Sequence, residues 1–125
     1  MRAVYLLDSA ILIDHLRGVS KATEWLTALR EGEAAISVIT RAEVLSHGST
    51  EEVDAATRLC AQFDCLTVTA DTADHAAELR RQNRWKLPDA FQAALAIANR
   101  VKLVTRNTRD FDPGRHSFVL VPYAL

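Results

Sequence analysis

Short apolar runs alternate with helix-like segments from one end of this chain to the other. The apolar runs have the length of buried strands and cover residues 3–8, 34–38, 65–69, 103–105 and 118–121. Strands that alternate with helices favour a mainly parallel sheet covered by helices on both faces. We therefore expect an α/β fold, a three-layer α/β/α sandwich with roughly five strands. The 125 residues suit one domain, which we expect to span 1–125.

The segments between the strands carry recognisable helix starts and stops. The expected helices cover about residues 9–17, 20–30, a stretch through 42–45 that ends near 48, and then 49–63, 71–84 and 88–100. Gly18 is the expected stop of the first helix, and Ser20 and Asp71 are expected N-caps. The sequence Ser-Thr-Glu-Glu at 49–52 is a capping-box pattern, and Pro88 is typical of a first helical turn.

Four acidic residues fall where this pattern passes from strand to helix or loop. They are Asp8, Glu43, Asp89 and Asp110. Right-handed crossovers place the strand-to-helix junctions of a parallel sheet at one edge, where ligands bind. Carboxylates gathered there repel one another unless a cation lies among them, and an oxygen-only site suits Mg²⁺ or Mn²⁺. Taken singly, each acid also has a structural explanation, such as N-capping by Asp8.

Other polar side chains near these acids are candidates for supporting roles. Ser9 and Thr105 lie at strand ends, where a hydroxyl can orient a carboxylate or a water.

Composition and the remaining special residues narrow the class of protein. The formal net charge of −1 gives no global nucleic-acid signature. Cys60 and Cys65 lack partners at zinc-ligand spacing, and we expect two buried free thiols. The four histidines show no metal-ligand spacing, so we expect them at surface or boundary positions. No run approaches the ~20 apolar residues of a membrane span, and no signal segment precedes the first strand, which favours a cytoplasmic protein.

Four stretches of the chain resemble the acidic motifs of PIN domains. They are residues 6–14, 36–44, 87–96 and 103–111, which contain Asp8, Glu43, Asp89 and Asp110 in family-like order and spacing. Short PIN proteins of this type are VapC toxins of toxin–antitoxin pairs. The resemblance implies a metal-dependent endoribonuclease with RNA as substrate, a VapB-type antitoxin as partner, and a homodimer.

With RNA as the implied substrate, basic residues that flank the acids in sequence could hold RNA phosphates: Arg84, Lys86, Arg106 and Arg109. Trp85 could stack on an unpaired base, and packing in the core or at a dimer interface is at least an equal alternative.

The chain departs from the family pattern at two places. Ala10 stands where the family often has Asn, which removes one polar group near the site. The last motif offers both Asn107 and Asp110, and family members often place an acid near the Asn107 position. We expect Asp110 to be the fourth acid and Asn107 a supporting amide.

The mechanism expected from these residues has Asp8 and Asp89 holding Mg²⁺, with Mn²⁺ as an alternative. Glu43 and Asp110 would complete the pocket directly or through water, and a deprotonated water would attack a phosphodiester in line. Two alternatives stay open. A flavodoxin-like phosphate-accepting domain also keeps acids at strand ends, but Ser9 replaces the second acid that it would need. A catalytically inactive PIN interaction module is the other, and retention of all four acids argues against it.

Overall fold

A five-stranded, all-parallel sheet forms the centre of the molecule. The computed structural model describes residues 3–125. The strands are β1 (Tyr5–Leu7), β2 (Ala34–Ser37), β3 (Asp64–Leu66), β4 (Lys102–Val104) and β5 (Val119–Leu120). Their order across the sheet is β3-β2-β1-β4-β5, and each neighbouring pair is parallel. The predicted α/β fold with about five mainly parallel strands is confirmed.

Six helices connect the strands within the described residues. They are α1 (Ser9–Leu16), α2 (Ser20–Thr27), α3 (Val38–Leu45), α4 (Thr50–Cys60), α5 (Ala70–Asn83) and α6 (Leu87–Asn99). None of the helices that the structure describes has the length and apolar character needed to cross a membrane. Two helices, α1 and α3, follow directly on the ends of β1 and β2, so the first residues after these strands lie at the same edge of the sheet.

Alternate residues of the strands face two separate cores. Leu6 and Leu103 pack with the helices α5 and α6 on one face, whereas Leu7 and Val104 pack with α1 and α4 on the other. This alternation is the period-two geometry of a strand. The buried face of α6 consists mainly of alanines, which lets this helix lie close to the sheet. The three-layer arrangement predicted from the alternation of elements is therefore confirmed.

The helix ends agree with some of the turn signals and not with others. The capping box at Ser49 is present: the Ser49 hydroxyl accepts from the amide of Glu52, and the Glu52 carboxylate accepts from the amide of Ser49. Gly18 follows α1 with φ of 84°, a conformation that glycine adopts without strain. The prediction that Asp71 caps α5 is wrong, because the cap is Thr69. Ser20 is likewise the first residue of α2 and not its cap.

The third strand and its cysteine differ most from the prediction. The sequence predicts a strand over residues 65–69, but β3 covers Asp64–Leu66 and pairs only with β2 at the edge of the sheet. Cys60 is buried, as predicted, whereas Cys65 is exposed. An edge strand is covered less completely than a central one, and its apolar run does not reveal that position. The four histidines are exposed or half-buried, as predicted.

Candidate functional site

Asp8 lies at the carboxyl end of β1 with both of its carboxylate oxygens engaged. Oδ1 accepts from the backbone amide of Ser9 at 2.9 Å, which caps α1, and Oδ2 accepts from the Thr105 hydroxyl at 2.7 Å. The residue is only 9% exposed. Desolvation by burial raises the pKa of Asp8 above its ordinary value, although the hydrogen bonds from Thr105 and Ser9 act in the opposite direction. The fold thus fixes the orientation of this carboxylate with neutral donors.

Asp89 is a strongly perturbed carboxylate of the site. It lies in the first turn of α6, half-buried. Burial is the largest influence that raises the pKa of Asp89 to about 6, and repulsion from three other carboxylates raises it further. Those three are Asp8, Asp110 and Glu43, in decreasing order of influence. The fold therefore brings all four acids singled out in the sequence into one electrostatic neighbourhood, which we call the acidic cluster.

Glu43 joins the acidic cluster from α3. Burial raises the pKa of Glu43, and the charge of Asp8 raises it further, while the nearby Ser9 side chain partly offsets both effects. Ser9 thus lies between two acids: its backbone amide donates to Asp8 Oδ1, and its side chain lies within hydrogen-bonding reach of Glu43. Its predicted supporting position agrees with this geometry.

A chain of hydrogen bonds links Asp110 to Asp8. The Asn107 side-chain amide donates to Asp110 Oδ2 at 2.9 Å, and the Asp110 backbone amide donates back to Asn107 Oδ1 at 3.3 Å. The backbone amide of Asn107 in turn donates to Thr105 Oγ1 at 3.0 Å, and that hydroxyl donates to Asp8. The carboxylate whose charge reaches Asp89 thus belongs to Asp110, while Asn107 holds it in place.

A buried polar network, which no sequence motif indicates, lies next to the end of β1 that carries Asp8. Gln92 Oε1 accepts from the Ser37 hydroxyl at 2.6 Å, and Gln92 Nε2 donates to Thr40 Oγ1 at 2.7 Å. The Thr40 hydroxyl in turn donates to the backbone carbonyl of Leu7, the residue before Asp8. All three polar side chains are at most 1% exposed. The available signal is Gln92 itself, a single amide on the apolar face of an alanine-rich helix.

The predicted RNA-contacting residues have different environments. Arg84, Lys86 and Arg109 are exposed. Arg106 instead forms a two-point ion pair with Asp14, with Nε 2.5 Å from Oδ2 and Nη2 2.9 Å from Oδ1. Its guanidinium is therefore already committed within the protein, which the sequence does not indicate.

Trp85 belongs to the core and does not present a stacking surface. It is 4% exposed, its ring packs against Phe111 and His116, and its indole N–H donates to the Asp110 carbonyl at 2.9 Å. The prediction that Trp85 stacks on an unpaired base is thus wrong, and the alternative that it packs in the core is confirmed. The tryptophan anchors the loop that carries Asp110.

The donor set fits a hard divalent cation held partly through water. Across residues 3–125, no three side chains of His, Cys, Asp or Glu stand close enough together to form a ready-made cage for an ion. Mg²⁺ does not need such a cage, because it usually keeps several waters and takes one or two carboxylates. Burial is the largest cause of the raised pKa values of Asp8, Glu43 and Asp89, and within the described chain no ion pair offsets the negative charge of the cluster.

Comparisons with known proteins give a matching family model, a relative in sequence and neighbours in structure. A family model described as PIN domain matches residues 5–113. Ribonuclease VapC10 of Mycobacterium tuberculosis is 38% identical over 112 residues, which cover 85% of this chain and 84% of that protein. A toxin–antitoxin complex from Klebsiella pneumoniae contains a chain with a TM-score of 0.85 and 34% identity, covering 97% of this chain and 99% of the other. FitAcB from Neisseria gonorrhoeae, at 21% identity and a TM-score of 0.77 over 97% and 99% of the two chains, shares the fold.

Proposed function

Since the chain belongs to the PIN domain family, we propose that it is a metal-dependent endoribonuclease, the toxin of a type II toxin–antitoxin pair. The observation that carries the proposal is the convergence of Asp8, Glu43 and Asp110 on Asp89, whose pKa rises to about 6 through burial and the repulsion of these three acids. A protein that only needed these positions for its fold would gain by neutralising them.

The proposed assignment of the acids follows their environments. Asp8 and Asp89 hold Mg²⁺, or Mn²⁺ in its place, and Glu43 and Asp110 complete the pocket directly or through water. When bound, the ion supplies a polarised water and offsets the charge on the phosphate oxygens. Thr105 and the Ser9 amide fix the orientation of the Asp8 carboxylate, so little reorganisation is needed when substrate arrives.

The remaining groups position the acids and the substrate. Asn107 holds Asp110, and the Ser37–Gln92–Thr40 network holds the end of β1 against α3 and α6. The exposed cations Arg84, Lys86 and Arg109 contact RNA phosphates, and Arg106 contributes to RNA binding only through the part of its guanidinium that Asp14 leaves exposed.

The proposed partner is a VapB-type antitoxin. A solved neighbour at 34% identity is a toxin–antitoxin complex, which supports an inhibitory protein partner for this chain. We further propose one domain over residues 1–125, a homodimer and a cytoplasmic location, where RNA and an antitoxin are both available. Light scattering of the purified chain, alone and co-expressed with the product of a neighbouring small reading frame, tests the dimer and the partner.

RNA cleavage tests the activity most simply. Purified wild type is incubated with single-stranded RNA in Mg²⁺, in Mn²⁺ and in EDTA, beside Asp89→Asn and the matched control Asp54→Asn. Asp54 is an exposed acid on α4. We expect cleavage by wild type and Asp54→Asn with either metal, no cleavage in EDTA, and a rate for Asp89→Asn that is lower than that of wild type by roughly a hundredfold or more. Metal-independent cleavage that survives Asp89→Asn would contradict the proposal.

A further inference from the structure

A small basic cavity lies directly beside the acidic cluster. It has a volume of about 190 Å³ and is lined by residues that include Arg84, Arg109, Arg115, His116 and Asp110. Three arginines from separate parts of the chain thus line one recess: they come from the end of α5, the loop after β4, and the segment before β5. We propose that this cavity binds a backbone phosphate of the substrate RNA next to the one that is cleaved, an inference that rests on the proposed nuclease function.

The three arginines of the cavity are available to an external anion. Within residues 3–125, the one salt bridge joins Arg106 to Asp14, and neither of these residues lines the cavity. Asp110 does line it, but its Oδ2 accepts from Asn107 and its charge acts on Asp89. The net charge of the lining is therefore positive, and guanidinium groups match phosphate oxygens with paired N–H donors.

The lining of the cavity favours a phosphate over a base. Trp85 also lines it but is buried, and its indole N–H is already used by the Asp110 carbonyl. Because the ring is buried, a base cannot stack on it, and Trp85 contributes only packing to the lining of the cavity. The shared residue Asp110 places the cavity next to the acids, so a strand that crosses the acidic cluster passes the cavity with an adjoining phosphate.

Salt-dependent RNA binding tests the cavity without cleavage. The background is Asp89→Asn, which keeps the RNA intact, and the probe is a fluorescent single-stranded RNA titrated over a series of KCl concentrations. Loss of one phosphate contact should lower the slope of log affinity against log salt by about 0.7. We expect this change, with an affinity about tenfold lower, in the double variant Arg109→Gln/Arg115→Gln.

Two matched variants separate specific recognition from general charge. Arg58→Gln removes an exposed arginine on α4, outside the cavity, and should leave slope and affinity unchanged. Arg109→Lys/Arg115→Lys keeps both charges but not the planar forks, and should keep the slope while losing part of the affinity. Equal melting temperatures would show that all of these surface variants are folded.

Three results would overturn the phosphate site. They are an unchanged slope and affinity in Arg109→Gln/Arg115→Gln, no RNA binding by Asp89→Asn itself, or loss of antitoxin binding alone in the double variant, which would indicate an acidic protein ligand. The cleavage assay of the wild type keeps the two proposals apart. If wild type cleaves RNA with Mg²⁺ while the double variant binds RNA normally, only the cavity assignment fails.

Discussion

The buried acid Asp14 and the acidic cluster have opposite electrostatic environments within the same fold. Asp14 on α1 is 6% exposed and is met by the Arg106 guanidinium and by the Tyr123 hydroxyl at 2.7 Å. Although burial acts to raise it, the hydrogen bonds from Arg106 and Tyr123 leave the pKa of Asp14 below its ordinary value. Among the described residues, no such ion pair is made by the cluster, and three of its acids have raised pKa values.

This difference agrees with a structural role for Asp14 and with the functional role proposed for the acidic cluster. At Asp14 the protein neutralises a buried carboxylate internally, with the guanidinium of Arg106 from the loop after β4. The mutual repulsion within the acidic cluster is unfavourable for the isolated fold and useful for holding an external cation. Perturbed groups of this kind concentrate at functional sites.

The largest expected effect comes from neutralising one acid of the cluster. Asp89→Asn or Asp8→Asn should reduce RNA cleavage by roughly 10²–10³-fold, because each removes a proposed ion ligand. In EDTA the same variants should be more stable than wild type by about 1 kcal/mol, because repulsion is relieved. Urea unfolding and cleavage rates measure the two effects, and lower stability of both variants would show that these acids are structural partners instead.

Breaking the ion pair of Asp14 should have the reverse effect on stability. Arg106→Met leaves Asp14 buried with only the Tyr123 hydroxyl as a hydrogen-bond donor. We expect a loss of about 2 kcal/mol in the free energy of unfolding. This loss is smaller than for a fully buried ion pair because the Arg106 side chain is 31% exposed. The matched control Arg58→Met removes an exposed arginine on α4 and should change stability by less than about 0.5 kcal/mol. Equal urea midpoints for the Arg106 variant and the wild type would mean that the ion pair contributes nothing.

The two kinds of acid should also respond oppositely to pH in metal-free protein. Asp89 has a pKa of about 6 when folded and 3.8 as its ordinary value, so it binds a proton more tightly in the native state. Its contribution to stability therefore decreases by about 1 kcal/mol, after allowance for solvent screening of a half-buried group, as pH rises from about 4 to above 6. Asp14 has a lowered pKa, so its contribution is present above 3.8 and is lost as pH falls through its folded pKa.

Urea unfolding in EDTA across this pH range checks the sign for Asp89. The amount by which Asp89→Asn is more stable than wild type should grow from about pH 4 to above pH 6 and then stay constant. A difference that shrinks over that interval would mean that the Asp89 carboxylate is stabilised in the folded state, and the contrast with Asp14 would disappear.

The smallest expected effect concerns the hydroxyl that orients Asp8. Thr105→Val removes the donor to Asp8 Oδ2 and the acceptor of the Asn107 amide while keeping the shape of the side chain. We expect Mg²⁺ affinity to fall about tenfold, as is usual for residues that orient metal ligands. Thr105→Ser should restore most of it, and calorimetric titration with Mg²⁺ compares the three proteins. Equal affinity in Thr105→Val would assign the hydroxyl to folding alone.

Asp8, Glu43 and Asp110 can be found from the sequence because each comes after a strand signal, on the side that parallel topology brings to one edge, whereas Asp89 is marked only by its place in the first turn of an alanine-rich helix. Asp110 can be preferred to Asn107 because only a carboxylate adds charge, and the structure shows the amide holding the acid. The ion pair between Asp14 and Arg106 cannot be found, since 92 residues separate the partners and both have ordinary surface-type sequence contexts. The Gln92 network is hidden within an alanine-rich apolar pattern that predicts only a packed helix.

A Mg²⁺ titration of thermal stability tests most directly whether a divalent cation completes the acidic cluster. An ion that binds only the native state at a hundredfold excess over its Kd stabilises it by about 2.7 kcal/mol. We predict that Mg²⁺ raises the melting temperature of wild type and of Asp54→Asn from their values in EDTA, and leaves that of Asp89→Asn unchanged. An equal rise in Asp89→Asn and wild type would contradict the account.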